Sequence, residues 1–194
     1  MAKKDILLDG IVVGSLEATG DPLKDAETVQ DFLKERGLHK EVSINDAMYR
    51  QANSFAELAN SIYKKDLQKS PYKGSSVSPF VVNAAFSIEL YLKTIHSIYG
   101  NKVKGRHHLA NLYRKLPTKG KDFFNKAAND VRPRYKLEPN VDILSSLKDL
   151  SKAFEQWRYI YEFDGLSVEL QSIRYTMHVA HEACSRVRED VGET

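Results

Sequence analysis

Residues 78–116 read SPFVVNAAFSIELYLKTIHSIYGNKVKGRHHLANLYRKL, and this stretch decides the fold. Pro79 opens a helix, because its fixed φ suits the first turn and its missing N–H leaves nothing unpaired there. Val81, Ala85, Ile88, Leu92, Ile95 and Tyr99 then recur at alternating intervals of four and three, which places them on one helical stripe. Gly100 stops that helix. After a basic loop, a shorter helix is expected from about His107 to Leu116, with Leu109, Leu112 and Leu116 inward and Pro117 as its breaker.

The flanking sequence repeats the pattern. Ser43-Ile-Asn-Asp46 resembles a capping box, and Ile44, Met48, Phe55, Leu58 and Ile62 recur at helical spacing up to about Asp66. Ser70-Pro71, Gly74-Ser75-Ser76 and Ser78-Pro79 punctuate the loop that follows. Downstream, residues 120–130 suggest a short helix around Phe123 and Phe124, and Arg132-Pro133-Arg134 an extended basic connector. Asn140 or Asp142 caps a long helix with the stripe Ile143, Leu147, Leu150, Phe154, Trp157 and Tyr161. Asp164-Gly165 interrupts the chain. The last stripe is Leu166, Leu170, Ile173, Met177, Ala180, Cys184 and Val187. Four long stripes joined by loops predict an all-α fold, an antiparallel four- to five-helix up-and-down bundle over residues 43–190.

Residues 1–42 are expected to form a small appendage. Asp9-Gly10 sits between two short apolar runs, as a tight hairpin turn requires. Asp21-Pro22 then caps and opens a helix that Gly37 ends.

The 194 residues carry a net charge of +3, but residues 102–136 alone carry +9 and the remainder −6. A one-sided field of this kind attracts polyanions. Lys102, Lys104, Arg106, Arg114, Lys115, Arg132 and Arg134 are therefore the candidate nucleic-acid contacts. A single cysteine, Cys184, excludes an internal disulfide and a cysteine-built zinc site. No apolar run approaches the roughly 18 residues of a membrane span, and no secretory signal opens the chain, so a cytoplasmic protein is expected. No cofactor and no metal are expected either. Gly74-Ser75-Ser76 lacks the lysine of a phosphate loop, adjacent His107 and His108 suit one ion poorly, and Ser78, Ser87 and Ser145 lack His-acid partners.

Three ordered segments resemble the HEPN superfamily of prokaryotic helical domains, over roughly residues 43–190. AAFSIELYLK at 84–93 is similar to the family's AAF-x-IELYLK helix. HHLANL at 107–112 is similar to GHDL-x-x-L, with Arg106 in place of the Gly and His108 in place of the Asp. FEQWRYIYE at 154–162 is similar to a W-R-Y-x-Y-E element of one branch. The resemblance implies a four- or five-helix bundle, often a homodimer. In active members it implies an Arg-x(4–6)-His pair that cuts RNA without metal. In such a pair the imidazole moves the proton of the 2′-hydroxyl or of the leaving oxygen, and the guanidinium holds the phosphate.

Here Arg158 stands where the family's arginine belongs, and no histidine follows it in the window. Arg174, His178 and His181 offer another set, at i, i+4 and i+7 on the last helix. Glu89 and Lys93 are spaced for an ion pair one turn apart. With His107, Arg158 and Glu162 they are expected to form a structural polar cleft, Glu89 receiving a hydrogen bond from His107 or Arg158. The functional expectation is a non-catalytic module that binds RNA, a nucleotide or a partner protein through the basic surface at 102–136. One alternative is a metal-independent endoribonuclease, a toxin or phage-defence effector. Another is a purely structural dimeric partner of a protein such as a nucleotidyltransferase.

Overall fold

A computed structural model describes residues 2–8, 10–39, 42–101, 107–138, 141–159 and 167–193. The chain divides into two compact units, Met1–Val42 and Ser43–Thr194.

In the first unit, β1 (Ala2–Leu8) pairs antiparallel with β2 (Ile11–Ala18). Gly10 takes φ +81°, the left-handed conformation the turn needs. Leu7 pairs with Val12 but Ile6 pairs with Gly14, so Val13 is an extra residue and the ladder bulges there. α1 (Pro22–Glu35) follows, with the Asp21 carboxylate accepting from the Leu23 N–H. A side chain at position 14 would run into the Phe32 ring, so Gly14 lets that ring of α1 lie directly on β2.

The second unit is all-α. Its described helices are α2 (Ile44–Ile62), α3 (Val77–Ile98), α4 (Leu109–Arg114), α5 (Thr118–Val131), α6 (Ile143–Arg158) and α7 (Leu170–Asp190). α3 is the centre. It packs against α2, α6, α7 and α4, while α5 packs against α7. The stripe Val81, Ala85, Ile88, Leu92, Ile95 is fully buried, and so are Phe80, Ala84 and Tyr91 on its other sides. Burying each large apolar side chain contributes roughly 1.5–3 kcal/mol. Among the described residues, no helix is long and apolar enough to cross a membrane.

Several elements depart from the sequence reading. The large apolar stripe of α2 is only partly turned to the core, with Phe55 and Ile62 packed against its edge. Ala52, Ala56, Ala59 and Tyr63 are buried instead, while Ile44 and Leu58 are exposed and Met48, Phe55 and Ile62 half-buried. Alanine wins that face because a side chain of one carbon lets α2 lie close against the bulky α3. Arg132–Arg134 is a 3₁₀ turn rather than an extended connector. The Arg132 guanidinium holds it by donating to the carbonyls of Val141 (2.5 Å) and Glu138 (2.9 Å). Pro117 both ends the α4 segment and caps the start of α5. Asp142 caps α6 by accepting from the Leu144 and Ser145 N–H groups. α7 begins at Leu170, where the Glu169 carboxylate accepts from the N–H groups of Gln171 and Ser172. Tyr161, Asp164-Gly165 and Leu166 lie outside the described residues.

Candidate functional site

The feature with most chemistry is a cavity of about 410 Å³ in the helical unit. α7 supplies Arg174, Met177, His178 and His181, which the helical period places on one face. α2 supplies Asn53, Ala56, Glu57 and Asn60, and the turn after it supplies Lys64. That turn, Tyr63–Leu67, is a π-helix, a widening that recurs at functional sites. Tyr91 of α3 and Tyr135, which follows the 3₁₀ turn, complete the lining.

Arg174 is held by aromatic faces. Its guanidinium lies 4.1 Å from the Tyr63 ring centre and 5.5 Å from that of Tyr135. It makes a long hydrogen bond from Nη1 to Gln171 Oε1 at 3.4 Å, and its buried Nε has no partner among the described residues. Gln171 in turn donates to the Tyr63 hydroxyl at 3.0 Å. His178 Nδ1 lies 3.2 Å from the Tyr135 hydroxyl. His181 stacks on Tyr49 at 6.1 Å and meets the edge of Tyr91 at 5.6 Å. The Tyr91 hydroxyl donates to Asn53 Oδ1 at 2.7 Å.

The electrostatics follow from burial. Desolvation, then the neighbouring Arg134 and His181, push the His178 pKa below its ordinary value. Desolvation does the same to His181. Both imidazoles are therefore neutral at pH 7. Burial raises the pKa of Tyr91 and Tyr135, so both hydroxyls keep their protons. The cavity thus offers two cations, Arg174 and Lys64, one carboxylate, Glu57, two neutral imidazoles and several aromatic faces. Among the described residues, no three His, Cys, Asp or Glu side chains gather as a metal would need.

The residues singled out from sequence fall in three places. Arg174, His178 and His181 come together in the cavity. Arg158 does not line it; its guanidinium covers the Phe154 ring at 4.4 Å, and its Nε donates to the Phe154 carbonyl. Glu89, buried in α3, accepts on Oε1 from Lys93 Nζ (2.6 Å) and meets His107 Nδ1 (2.9 Å) on the same oxygen. The intrahelical pair and the link to His107 therefore coexist. Glu89 Oε2 is buried with no partner among the described residues. Of the basic set, Arg114, Lys115 and Arg134 are exposed, and Arg132 is engaged with backbone carbonyls. Lys102, Lys104, Arg106 and Glu162 lie outside the described residues.

Sequence reasoning passed over the α2 wall of the cavity and Tyr135. The signal existed: Tyr49, Asn53, Asn60 and Lys64 follow one another at intervals of four, seven and four, a polar stripe beside the alanine face. No family model, no curated protein and no solved structure matches this chain.

Proposed function

We propose that the helical unit is a HEPN-like, non-catalytic module that binds RNA or a nucleotide, and that the ligand seats in the Arg174 cavity. The observation that carries this reading is the Arg174 guanidinium, laid over Tyr63 with its buried Nε unpaired. Its Nε lacks an acceptor among the described residues and its hydrogen bond to Gln171 is long, so a phosphate oxygen would supply what the guanidinium is missing. Tyrosine faces and the side-chain amides of Asn53 and Asn60 suit a base, which needs a stacking surface and edge hydrogen bonds. A cavity of about 410 Å³ falls in the range of single small-ligand sites. Exposed Arg134, close enough to His178 to help depress its pKa, adds a further positive charge near the cavity.

The test is fluorescence anisotropy of a labelled oligoribonucleotide in EDTA. Binding should weaken with salt at a log–log slope of about −0.7 per phosphate contact. Arg174→Ala should weaken binding about tenfold to a hundredfold, the loss of one charge-assisted contact. Binding that ignores Arg174→Ala would place the ligand elsewhere.

One observation favours metal-independent RNA cleavage as a second reading. His178 and His181 are neutral and share the cavity with Arg174, so an unprotonated imidazole stands ready to accept a 2′-hydroxyl proton. Cutting of labelled RNA in EDTA that disappears in His181→Ala would establish it. Intact RNA at every protein concentration would remove it.

A further inference from the structure

We propose that the cavity selects a guanine base, Asn53 and Glu57 reading its Watson–Crick edge while Arg174 and Lys64 hold the phosphate of the same nucleotide. Guanine selection rests on the ligand reading above and adds which base is held. The cavity is polarised from end to end. At one end the Arg174 guanidinium lies over Tyr63, its buried Nε without a partner among the described residues, and Lys64 directly follows Tyr63. At the other end Asn53 and Glu57 stand one turn apart on α2, with Tyr91 bonded to Asn53 and His181 packed on Tyr91. Lys64 follows Glu57 by seven residues, about 10 Å along the helix, the span of one nucleotide from base edge to phosphate.

Glu57 is the odd member of this lining. It makes no hydrogen bond or ion pair among the described residues, and a carboxylate facing an anionic ligand is repulsive unless the ligand brings donors to it. Guanine brings two. Its N1–H and N2–H lie side by side, and a carboxylate accepts both in parallel. The next group along that edge is O6, an acceptor, and Asn53 answers it. The buried Tyr91 hydroxyl donates to Asn53 Oδ1 at 2.7 Å, so the amide has its Nδ2 donor left to offer. Burial and the nearby Glu57 charge keep that hydroxyl protonated, which holds the amide in this sense.

The other bases fit worse. Adenine turns its N6 amino group toward the Nδ2 donor and its N1 lone pair toward the carboxylate, and cytosine repeats both faults. Uracil satisfies Nδ2 with O4 and Glu57 with N3–H, but its O2 then faces the second carboxylate oxygen. The expected order is guanine, then uracil, then adenine and cytosine.

Isothermal titration calorimetry of the full chain in EDTA, with the 5′-monophosphates GMP, IMP, UMP, AMP and CMP, tests this. GMP should bind about tenfold or more tighter than AMP, and IMP, which lacks the N2 amino group, should fall between them. Glu57→Gln, at an exposed position, should lower the ratio of GMP to AMP affinity about tenfold, whatever it does to phosphate binding in general. Fluorescence anisotropy of the oligoribonucleotides AAGAA and AAAAA asks the same of a chain. A guanine preference in either arm, lost in Glu57→Gln, is the expected result, and the tighter arm tells a free nucleotide from a guanosine within RNA. Equal binding of all bases, still weakened by Arg174→Ala, would overturn guanine selection and leave the phosphate reading standing. A guanine preference that survives Glu57→Gln, or a preference for another base, would overturn it as well. No binding in either arm would overturn both.

Discussion

On α3 the stripe Val81, Ala85, Ile88, Leu92 and Ile95 is fully buried, whereas on α2 the stripe Ile44, Met48, Phe55, Leu58 and Ile62 is half-buried or exposed. Both run at helical spacing, in steps of three, four or seven, and period alone does not separate them. The difference lies in the neighbouring faces. α3 is apolar nearly all round and must sit at the centre. α2 has three faces. Ala52, Ala56 and Ala59 pack on the core, its polar face walls the cavity, and of its large apolar residues Phe55 and Ile62 pack at the core's edge while Ile44 and Leu58 are left exposed. A stripe of alanine can outcompete a stripe of leucine for the core when the partner helix is already bulky.

The sharpest way to break this comparison is to exchange the treatment of the two helices. Ile88→Ala should cost about 2–5 kcal/mol, because it empties a fully buried site. Ala59→Leu, which overfills the close α2–α3 contact, should cost about 1–3 kcal/mol. Thermal denaturation checks both. If Ala59→Leu is neutral, the alanine face is not the packed one.

A smaller effect comes from pH. The native pKa of His178 and His181 is depressed, so below the ordinary histidine value the unfolded chain binds protons that the native one refuses. Their contribution to stability is full above about pH 6.5 and falls as pH drops below it, until the native pKa is reached. The melting temperature should decline between about pH 7.5 and pH 5.5, and His178→Gln should flatten that decline. A profile identical in the variant would mean His178 is not shielded. The smallest effect belongs to the outer stripe. Leu58→Ala, measured at low protein concentration, should change the stability of the fold by less than about 0.5 kcal/mol.

Much of the architecture was legible in the sequence because its signals are local. Asp21-Pro22, Ser43 and Asp142 cap their helices, Gly37 and Gly100 end theirs with φ of +63° and +74°, and the α3, α6 and α7 stripes supply the core. What failed was the choice between faces of α2, which depends on how close α3 can come and not on α2 itself. The 3₁₀ turn at Arg132–Arg134 was hidden because it is held by a side chain reaching carbonyls six and nine residues on. At the site, the i, i+4, i+7 spacing placed Arg174, His178 and His181 on one face. Their aromatic and amide surroundings come from α2 and from Tyr135, distant in sequence, and only packing assembles them.

The most direct test of the ligand reading is a nuclear magnetic resonance titration of the imidazole signals of His178 and His181 with a short oligoribonucleotide in EDTA. Saturable shifts of both signals, absent in Arg174→Ala and with the signal of buried His96 unmoved, are the expected result. Saturable RNA binding that leaves both imidazoles where they were would contradict it.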